Sequence, residues 1–333
     1  MGPDPAVAAV RLAVRRSLSV LPGGSLTLAA CSGGPDSLAL ATALAFEAPR
    51  LGQRAGAVIV DHGLQPGSAD QAARVSAVLR EHDLDPVHQV SVRVPGRTAT
   101  AGYPGPEAAA RQARYEAIEA AAVQCGAAAV FLGHTMDDQA ETVLLGLARG
   151  SGARSLAGMS ETSGRYRRPL LGLRREQTRA ACAALGLQPW DDPHNTDPSF
   201  TRVKVRHQLL PLMEDLLGPG ITEALARTAA RLRADADALD ELTVQVSATL
   251  MCGWPEARSL DVAALAELPA AVRTRVLRHA AIAAGSPAGS LGSVHVGQMD
   301  ALVTGWHGQQ AADLPGGVSC GRRYGRLHFS TRP

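Results

Sequence analysis

Two spacings of hydrophobic residues alternate along the first half of the chain, and they predict its elements. Short, almost wholly apolar runs predict buried strands, and longer segments with an apolar residue every three or four positions predict amphipathic helices. The predicted strands occupy residues 26–31, 56–61, 87–94 and 128–132, and the predicted helices lie within residues 1–21, 38–48, 68–82, 106–125 and 136–149. Ser68 and Gln71 have the spacing of a capping box. Apolar strands that alternate with helices predict an α/β fold with a parallel sheet covered on both faces.

The second half of the chain is predicted to be mainly helical. Helices are predicted at residues 174–185, 203–217 and 221–250, two or three short helices at 260–306, and loops at 150–164 and 190–197. The turn Pro315-Gly316-Gly317 lies between β-like runs and predicts a small hairpin. Pro219-Gly220 interrupts the helical pattern. We therefore expect one domain at residues 1–217 and a smaller, mainly helical domain at residues 218–333.

Composition narrows the class of protein. The chain has 333 residues, of which 46% are hydrophobic, and a mean hydropathy near zero. It has no uninterrupted apolar segment long enough to cross a membrane. Residues 1–21 contain charges and lack a small-residue cleavage site, so they predict a helix rather than a secretory signal. We expect a cytoplasmic protein.

Charge is unevenly distributed, although the net charge is only +2. Residues 149–179 contain eight arginines and two glutamates, and residues 321–333 contain four arginines and no acidic residue. Such stretches bind phosphate backbones or form solvated basic faces, and charge alone does not separate the two possibilities.

The cysteines indicate no metal site. They stand at positions 31, 125, 182, 252 and 320, far apart and without a Cys-x-x-Cys pair. This spacing predicts neither a zinc site nor an iron–sulfur site. We interpret the five residues as reduced, small apolar side chains of the core.

A glycine-rich motif joins the first predicted strand to the next helix. Residues 31–37 read Cys-Ser-Gly-Gly-Pro-Asp-Ser. Two glycines let the backbone approach an anion, and the helix start supplies free N–H groups. The carboxylate of Asp36 repels phosphate unless Mg²⁺ lies between them, so the motif predicts a site for phosphate and Mg²⁺. It is neither a Walker A loop nor a nucleophile elbow. A tight turn without a ligand is the simpler alternative.

Polar residues also follow the second and fourth predicted strands. They are Asp61 and His62 after the second strand, and Gly133, His134, Asp137, Asp138 and Glu141 after the fourth. Ligands of parallel sheets bind past the carboxyl ends of the strands, so these residues are expected to face the same cleft as residues 31–37. Two carboxylates at a helix start also act as ordinary capping charges. The dense cluster is better explained by a metal ion or a cationic substrate.

The motif at residues 31–37 resembles the pyrophosphate-binding loop of the N-type ATP pyrophosphatases. Members of that class cleave ATP between the α and β phosphates and attach AMP to a substrate oxygen, which leaves when a nucleophile attacks. Taken in order, the motifs between residues 25 and 215 resemble one family of this class, the tRNA(Ile)-lysidine synthetases. The further matching positions are Glu107, Arg111, Arg114, Tyr115, Arg149, Gly150, Ser151, Gly152, Arg168, Leu171, Asp192, Asn195, Asp197, Thr201, Arg202, Arg206, Leu210 and Pro211.

The resemblance implies a ligase that joins L-lysine to C2 of the wobble cytidine of tRNA(Ile) with a CAU anticodon. ATP is the implied substrate, Mg²⁺ the implied cofactor, and an adenylated tRNA the implied intermediate. Residues 1–217 become a Rossmann-like ATP pyrophosphatase domain, and residues 218–333 are expected to contact tRNA. The oligomeric state is open, with a homodimer as one expectation, and no membrane partner is expected.

The resemblance also implies residue roles. The expected catalytic residues are Asp36, Asp137 and His134, and the expected Mg²⁺ ligands are Asp36 and Asp138. ATP is expected to contact Ser32, Gly33, Gly34, Pro35, Asp36, Ser37, Asp61, His62 and Gly133. Lysine is expected to contact Asp137, Asp138 and Glu141. The tRNA is expected to contact Glu107, Arg111, Arg114, Arg149, Arg168, Asn195, Arg202 and Arg206.

Proton transfer constrains these roles. The lysine amine has a free pKa of about 10.4 and must lose a proton before it attacks. A neighbouring carboxylate favours the ammonium form, so Asp137 positions lysine better than it lowers that pKa. Asp137 or His134 is expected to accept the proton. On the tRNA side, Glu107, Arg111 and Arg114 share one helical face, which an intrahelical ion pair explains equally well.

Three positions depart from the family pattern, and other classes of protein remain as alternatives. Gln65, Thr135 and Val203 stand where Arg, His and Asn are common in the family. Within the same class, a tRNA thiolase needs cysteine pairs, whereas GMP, asparagine and NAD synthetases act on small molecules with an amidotransferase or glutaminase. A non-catalytic nucleotide-binding module is the alternative from another class, and it does not need the carboxylates at residues 137–138 together with Glu107 and Arg168.

Overall fold

The computed structural model describes residues 2–61, 63, 67–92, 106–150, 152–192, 196–251, 254 and 258–331, with the backbone alone for 106–108. Contacts between residues divide the chain into two compact units, Met1–Arg231 and Leu232–Pro333.

The first unit consists of strands and helices that largely match the predicted elements. Its strands are β1 (Leu26–Ala30), β2 (Arg54–Asp61), β3 (Val87–Ser91), β4 (Ala129–Leu132), β5 (Thr162–Ser163) and β6 (Tyr166–Arg167). Its helices are α1 (Pro5–Leu18), α2 (Pro35–Glu47), α3 (Ser68–Glu81), α4 (Pro106–Gln124), α5 (Met136–Ala148), α6 (Ala153–Leu156), α7 (Arg175–Ala184), α8 (Thr201–Lys204) and α9 (Leu210–Leu217). A π-helical turn, Val205–Leu209, joins α8 to α9.

The strands of this unit form one six-stranded sheet in the order β3-β2-β1-β4-β6-β5. β1 pairs in parallel with β2 and β4, β2 with β3, and β4 with β6, whereas β5 runs antiparallel to β6. The predicted parallel, Rossmann-like sheet is therefore confirmed.

β1 lies inside this sheet, and its side chains are buried on both faces. Ala29 belongs to a core that includes Leu40 and Leu44 of α2. Leu28 belongs to a separate core that includes Ile118 and Ala122 of α4. Burial on both faces explains why this strand is an unbroken apolar run rather than an alternating one.

The strand order creates a crossover point beside β1. The chain runs from β1 outward to β2 and β3, and it then returns to the opposite side of β1 with β4. In such sheets, ligands bind past the carboxyl ends of the strands at this point. The predicted polar residues that the structure describes after β1, β2 and β4 therefore lie at one edge of the sheet.

Local differences from the predicted elements have simple causes. Gly67, with a φ of 80°, is the N-cap of α3, so Ser68 is the first helical residue and the predicted capping box is wrong. Residues 150–164, predicted as a loop, contain α6 and β5. β5 exists because its backbone pairs with β6, and two residues are too few to produce a recognisable strand pattern.

The predicted break at Pro219-Gly220 is present, but the compact units separate further along the chain. Gly218 and Gly220 have φ values of 93° and 98° and precede α10 (Ile221–Leu250). Ile221 and Leu225 pack against a core formed by residues of α5 and α9, so the start of α10 belongs to the first unit. The separation therefore falls inside α10.

The second unit contains helices and a small antiparallel sheet. After α10 follow β7 (Ser259–Asp261), α11 (Val262–Ala266), α12 (Ala270–Ala283), α13 (Ser293–Thr304), β8 (Ala312–Leu314), β9 (Val318–Arg323) and β10 (Arg326–Thr331). The strand order is β7-β10-β9-β8. The predicted short helices and the hairpin of β8 and β9 are confirmed, and β7 and β10 extend that hairpin into a sheet. Across the described ranges, every helix is too short or too polar to span a membrane.

Candidate active site

The turn between β1 and α2 carries the glycine-rich motif, and its shape depends on Gly33. This residue has a φ of +85°, in the left-handed region that glycine adopts without strain. A Cβ atom there would lie 2.6 Å from Cγ2 of Val75 in α3. The carbonyl of Gly33 accepts a hydrogen bond from the backbone N–H of Trp190 at 2.9 Å. Glycine thus allows the turn to pack closely between α3 and the loop after α7.

The two serines of the motif differ in what they contact. Ser37 is 8% exposed, and its hydroxyl donates to the carbonyl of Gly34 at 2.9 Å and accepts from the N–H of Ser32 at 3.2 Å. Ser32 itself is exposed. The first hydrogen bond of α2 runs from the N–H of Leu38 to Gly34, which leaves the preceding amides outside the helix ladder. Ser37 therefore shapes the loop, whereas the hydroxyl of Ser32 and the N–H groups of Asp36 and Ser37 can bind an anion.

Gly133 brings the end of β4 against this loop. A Cβ atom on Gly133 would lie 3.0 Å from the carbonyl carbon and oxygen of Asp36 and 3.1 Å from the nitrogen of Ser37. A side chain would therefore push the two segments apart. The absence of one places the cluster at residues 134–141 next to Asp36.

Asp36 lies in the first turn of α2 and is held by α7. The fully buried Thr178 donates its hydroxyl to Oδ1 of Asp36, and Nε of Arg175 lies 3.4 Å from Oδ2. Burial raises the pKa of the Asp36 carboxyl, and the hydrogen bond from Thr178 and the charge of Arg175 oppose that effect. Asp36 is thus a partly buried acid with one cation beside it.

Asp138 is oriented by the start of its own helix. Its Oδ2 accepts from the N–H and the hydroxyl of Thr135 at 2.9 and 3.1 Å. Its Oδ1 accepts from Arg175 at 2.9 Å and from Arg206 at 3.3 Å. Burial opposes ionisation, but the charges of Arg175 and Arg202 and the hydrogen bond from Thr135 hold the pKa of Asp138 below its usual value. Thr135, a departure from the family pattern, therefore supports this carboxylate.

Glu141 has no exposed side-chain surface and contacts three guanidinium groups. Nε of Arg202 lies 2.7 Å from Oε2, and Nε of Arg206 lies 2.6 Å from Oε1. Nη1 of Arg175 lies 3.4 Å from Oε1. Charged partners on both oxygens compensate for the removal of this carboxylate from water.

Asp137 lines a cavity of about 640 Å³. Its Oδ2 accepts from the backbone N–H of Arg175 at 2.8 Å, and Nε and Nη2 of Arg174 lie 3.4 Å from its two oxygens. Arg174 also donates to Glu223 at 2.6 Å. The charged residues around the cavity are Asp137, Glu141, Arg174, Arg175, Arg206, Glu214 and Glu223.

The cations that bind this acidic cluster are called the paired arginines, namely Arg174, Arg175, Arg202 and Arg206. Arg174, Arg175 and the neighbouring Thr178 are site residues that the motifs do not identify. Arg175 lies 139 positions after Asp36. The one feature of the sequence that points to it is the basic stretch at residues 149–179, to which it belongs. Arg202 and Arg206, predicted to contact tRNA, are bound to Glu141 in this structure.

A second group of cations lies near His134 or beside Arg111, and it forms no ion pair with any carboxylate of the described residues. These are called the open arginines, namely Arg111, Arg114 and Arg168. Arg111 donates to the hydroxyl of Tyr115 at 3.2 Å. Burial lowers the pKa of Arg114, and the charge of Arg111 acts in the same direction. An anionic ligand would offset this unfavourable burial of positive charge.

His134 is neutral at pH 7. Burial is the largest of the effects that lower the pKa of its imidazole to about 4; the charge of Asp138 opposes it, and the charges of Arg168 and Arg202 act with it. Its Nδ1 is buried and has no hydrogen-bond partner within the described ranges. A buried polar atom without a partner is unfavourable, so this nitrogen can accept or donate a hydrogen bond to a bound substrate.

The remaining predicted residues lie at separate positions of the same unit. Asp61 closes the turn after β2, where its Oδ1 accepts from the N–H of Gly63 at 2.9 Å. Arg149 is exposed directly after α5, and Arg168 is almost fully buried. Outside the described positions lie His62, Asn195 and the side chain of Glu107.

Comparison with known proteins agrees with this geometry. The PP-loop domain model matches residues 13–213. The tRNA(Ile)-lysidine synthase of Thermobifida fusca (strain YX) is 60% identical over 327 residues, which cover 98% of this chain and 97% of that protein. The chain belongs to the tRNA(Ile)-lysidine synthase family. The tRNA(Ile)-lysidine synthase of Streptomyces coelicolor is 54% identical over 98% of this chain and 99% of its own. The TilS substrate binding domain model matches residues 260–328.

A solved structure shares the fold of this lysidine synthase family member. The U34-tRNA thiolase NcsA from Methanococcus maripaludis is 17% identical, with a TM-score of 0.56 over 68% of this chain and 79% of the thiolase chain. The thiolase structure carries a [4Fe-4S] cluster. In the part of the present chain that the structure describes, no three His, Cys, Asp or Glu side chains are grouped to hold a metal ion. At this identity the likeness concerns the fold alone.

Proposed function

We propose that this chain ligates L-lysine to C2 of the wobble cytidine of tRNA(Ile) with a CAU anticodon. ATP adenylates the C2 oxygen, the ε-amine of lysine attacks C2, and AMP and pyrophosphate are released, so that the tRNA reads AUA and is charged with isoleucine. One observation carries this proposal. At the edge where the parallel strands end, the glycine-rich turn with its Asp36 lies next to Asp138 and Glu141. Family membership supports the same chemistry.

ATP is proposed to bind with its β and γ phosphates at residues 32–37. The exposed hydroxyl of Ser32 and the backbone N–H groups of Asp36 and Ser37, which precede the first hydrogen bond of α2, are donors for a pyrophosphate leaving group. The N-terminal end of α2 adds a partial positive charge at the same point. Donors that are fixed before the reaction stabilise the charge that develops on pyrophosphate.

The proposed Mg²⁺ ligands, Asp36 and Asp138, fit that ion. Both carboxylates contact one cation, the guanidinium of Arg175, at 3.4 and 2.9 Å, so they approach a common point beside the phosphate-binding turn. Carboxylate oxygens together with substrate phosphates are the donors that Mg²⁺ prefers. The ion, when bound, supplies neutralisation of the phosphate charge.

Lysine is proposed to bind through Asp137, Asp138 and Glu141. Asp137 and Glu141 line the cavity of about 640 Å³, and all three acids have guanidinium partners. The ammonium group of lysine therefore replaces one guanidinium group as the partner of an acidic side chain, because each of these acids already has a cation beside it. Asp137 is the proposed proton acceptor. His134 is a poorer one, because its protonation would add a positive charge beside Arg168, Arg202 and Arg111, whereas protonation of Asp137 removes a negative charge.

The tRNA is proposed to contact the open arginines and Arg149. Burial and the charge of Arg111 disfavour the charge of Arg114, which has no carboxylate partner among the described residues, and a phosphate group would offset both effects. Arg202 and Arg206 are proposed to act on tRNA from their position on Glu141. Residues 1–217 form the proposed catalytic domain, and residues 218–333 provide further proposed tRNA contacts. Cytoplasmic location and a homodimer stay predictions, and light scattering measures the latter.

Pyrophosphate release from ATP tests the function. The reaction contains Mg²⁺, lysine and unmodified tRNA(Ile) with a CAU anticodon, and each component is omitted in turn. We expect release to require the tRNA, and the tRNA mass to rise by that of lysine minus water. Asp36→Asn should abolish release, whereas Glu161→Gln, an exposed acid with the same change of charge, should leave it unchanged.

Two results would assign the chain differently. Release without tRNA, driven by a small acid or an amide donor, would indicate a metabolite-amidating enzyme of the same class. ATP binding without any release of pyrophosphate would indicate a nucleotide-binding module.

A further inference from the structure

The turn between β9 and β10 holds an aromatic residue in a conformation that aromatic residues rarely adopt. Tyr324 and Gly325 connect the strands and have φ values of 49° and 73°. Two-residue hairpin turns of this kind require φ above zero at both positions, and glycine, asparagine and aspartate meet that requirement with little strain. Tyrosine does not, so its presence calls for an explanation outside the turn geometry.

The side chain of Tyr324 contributes nothing visible to the fold. It is 101% exposed, so its ring buries no surface against the unit that carries it. Within the described residues, neither an aromatic ring nor a hydrogen-bonding group contacts it. A large ring at a strained, fully exposed position is unfavourable in the free protein, which points to a partner that covers it.

The arginines around this turn differ in their contacts. Arg322 donates to the carbonyl of Leu302 at 3.0 Å and lies 5.5 Å from the ring centroid of Trp306, so it is engaged inside the unit. Arg326 donates to Ser259 at 3.0 Å. Arg323 is exposed and forms no ion pair with any described residue. The residue that precedes the exposed ring is therefore an exposed cation without a carboxylate partner among the described residues.

Acidic residues are absent from the whole hairpin. Residues 318–331 contain three arginines and one histidine but no aspartate or glutamate. Acids stand on the two neighbouring strands: Asp261 on β7 lies 4.0 Å from Arg326, and Asp313 on β8 is opposite Ser319. This segment includes most of the arginines of the basic stretch at residues 321–333. The proposed reaction gives no role to that stretch.

A cavity of about 730 Å³ adjoins the turn, and most of the side chains that line it carry a polar group. Besides Arg322, Arg323 and Tyr324, its lining includes Gln309, Gln310, Ser319, His328 and Ser330. Gly321 contributes no side chain, and a Cβ atom there would lie 3.1 Å from Cβ of Ala311. Amide, hydroxyl and imidazole groups can bind the edges of a nucleobase, whereas the core of a protein–protein interface is usually apolar.

We propose that the hairpin tip, defined as residues 323–325, and the adjoining cavity form an RNA-binding site. An unpaired base stacks on the ring of Tyr324, the neighbouring phosphate binds Arg323, and the polar cavity lining contacts base edges. Stacking platforms beside a cation are the usual means of binding unpaired nucleotides. The identity of the RNA as the substrate tRNA rests on the proposed function, whereas the site itself does not.

Substitutions at the tip test this site in the full-length protein, with tRNA(Ile) affinity measured by filter binding at several salt concentrations. Tyr324→Asn removes the ring and suits the positive φ, so folding should be kept while the Kd for tRNA rises about tenfold. Tyr324→Trp should keep wild-type affinity because it keeps a stacking surface. Arg323→Gln should lower the slope of log K against log salt by about 1. Arg80→Gln, at an exposed arginine near the end of α3, is the matched control and should change neither quantity.

The outcomes separate this inference from the proposed function. If wild-type protein forms lysidine and Tyr324→Asn binds tRNA as tightly as wild type, the site is wrong and the function stands. If no lysidine forms but Tyr324→Asn still weakens RNA binding, the site stands and the function is wrong. If the tip variants bind RNA normally but lose a protein partner, the surface is a protein-docking site and the inference is overturned.

Discussion

The paired and the open arginines lie around the same strand ends in opposite electrostatic situations. The paired arginines contact five acids, Asp36, Asp137, Asp138, Glu141 and Glu223, and the shortest contact to each acid measures between 2.6 and 3.4 Å. The open arginines have no carboxylate partner among the described residues. Arg202 links the groups, because it binds Glu141 at 2.7 Å while its charge lowers the pKa values of Arg114 and His134.

This difference shows that residue type does not decide the use of an arginine. Arg114 and Arg206 carry the same charge, and both were predicted to contact tRNA. Arg206 compensates for buried acids, so its loss would leave negative charges unpaired. Arg114 neutralises no acid among the described residues, so its loss should mainly weaken the binding of an anionic ligand.

The largest expected effect follows from the loss of Glu141. Glu141→Gln removes the negative charge that three guanidinium groups share, so we expect the free energy of unfolding to fall by about 3–5 kcal/mol. Urea denaturation at pH 7 measures it. Arg114→Gln should change that free energy by less than about 1 kcal/mol. Equal losses in both variants would remove the distinction between the two groups.

A smaller effect concerns the pH dependence at His134. The unfolded imidazole takes up a proton below its free pKa of about 6.5, whereas the folded one stays neutral until about pH 4. The unfolded state therefore binds more protons in this window, and stability falls as pH decreases. Between pH 7 and 5 the loss due to His134 is about 2 kcal/mol. Urea denaturation should show that His134→Asn removes this part, and an unchanged pH dependence would contradict it.

The binding of tRNA gives a third contrast. Arg114→Gln should weaken tRNA binding about tenfold and reduce the salt slope by about 1, because one phosphate contact is lost. Arg174→Gln, the same substitution among the paired arginines, should leave the slope unchanged. Filter binding over a salt series measures both. A reduced slope for Arg174→Gln would mean that Arg174 also reaches the tRNA backbone.

The smallest expected effect concerns Thr178. Thr178→Val removes the hydroxyl that donates to Asp36 but keeps the buried volume, so we expect a loss of about 1 kcal/mol in stability. The apparent affinity for Mg²⁺ in pyrophosphate release should also decrease. Thr178→Ser keeps the hydroxyl and serves as the control. Wild-type Mg²⁺ dependence in Thr178→Val would show that this hydrogen bond does not position Asp36.

Prediction from the sequence succeeded where signals are local. β1 to β4 lie within one or two residues of the predicted segments over the described positions, because burial on both faces produces continuous apolar runs. The turn at residues 31–37 and the cluster at 133–141 meet because parallel neighbours bring their carboxyl ends to one edge. The role of Thr135 was predicted only in part. The sequence identified it as a departure from the family pattern, whereas its hydrogen bonds to Asp138 were not predicted.

The sequence by itself therefore determined the parallel sheet, the phosphate-binding turn and the acidic cluster, because each is specified by residues that are neighbours along the chain. Only the tertiary structure decided which arginines bind those acids and which remain open. Arg175 reaches Asp36 across 139 positions, and nothing local to either residue specifies that contact. Packing of α7 against the start of α2 creates it, and the exclusion of water makes a partner for each buried carboxylate a physical requirement.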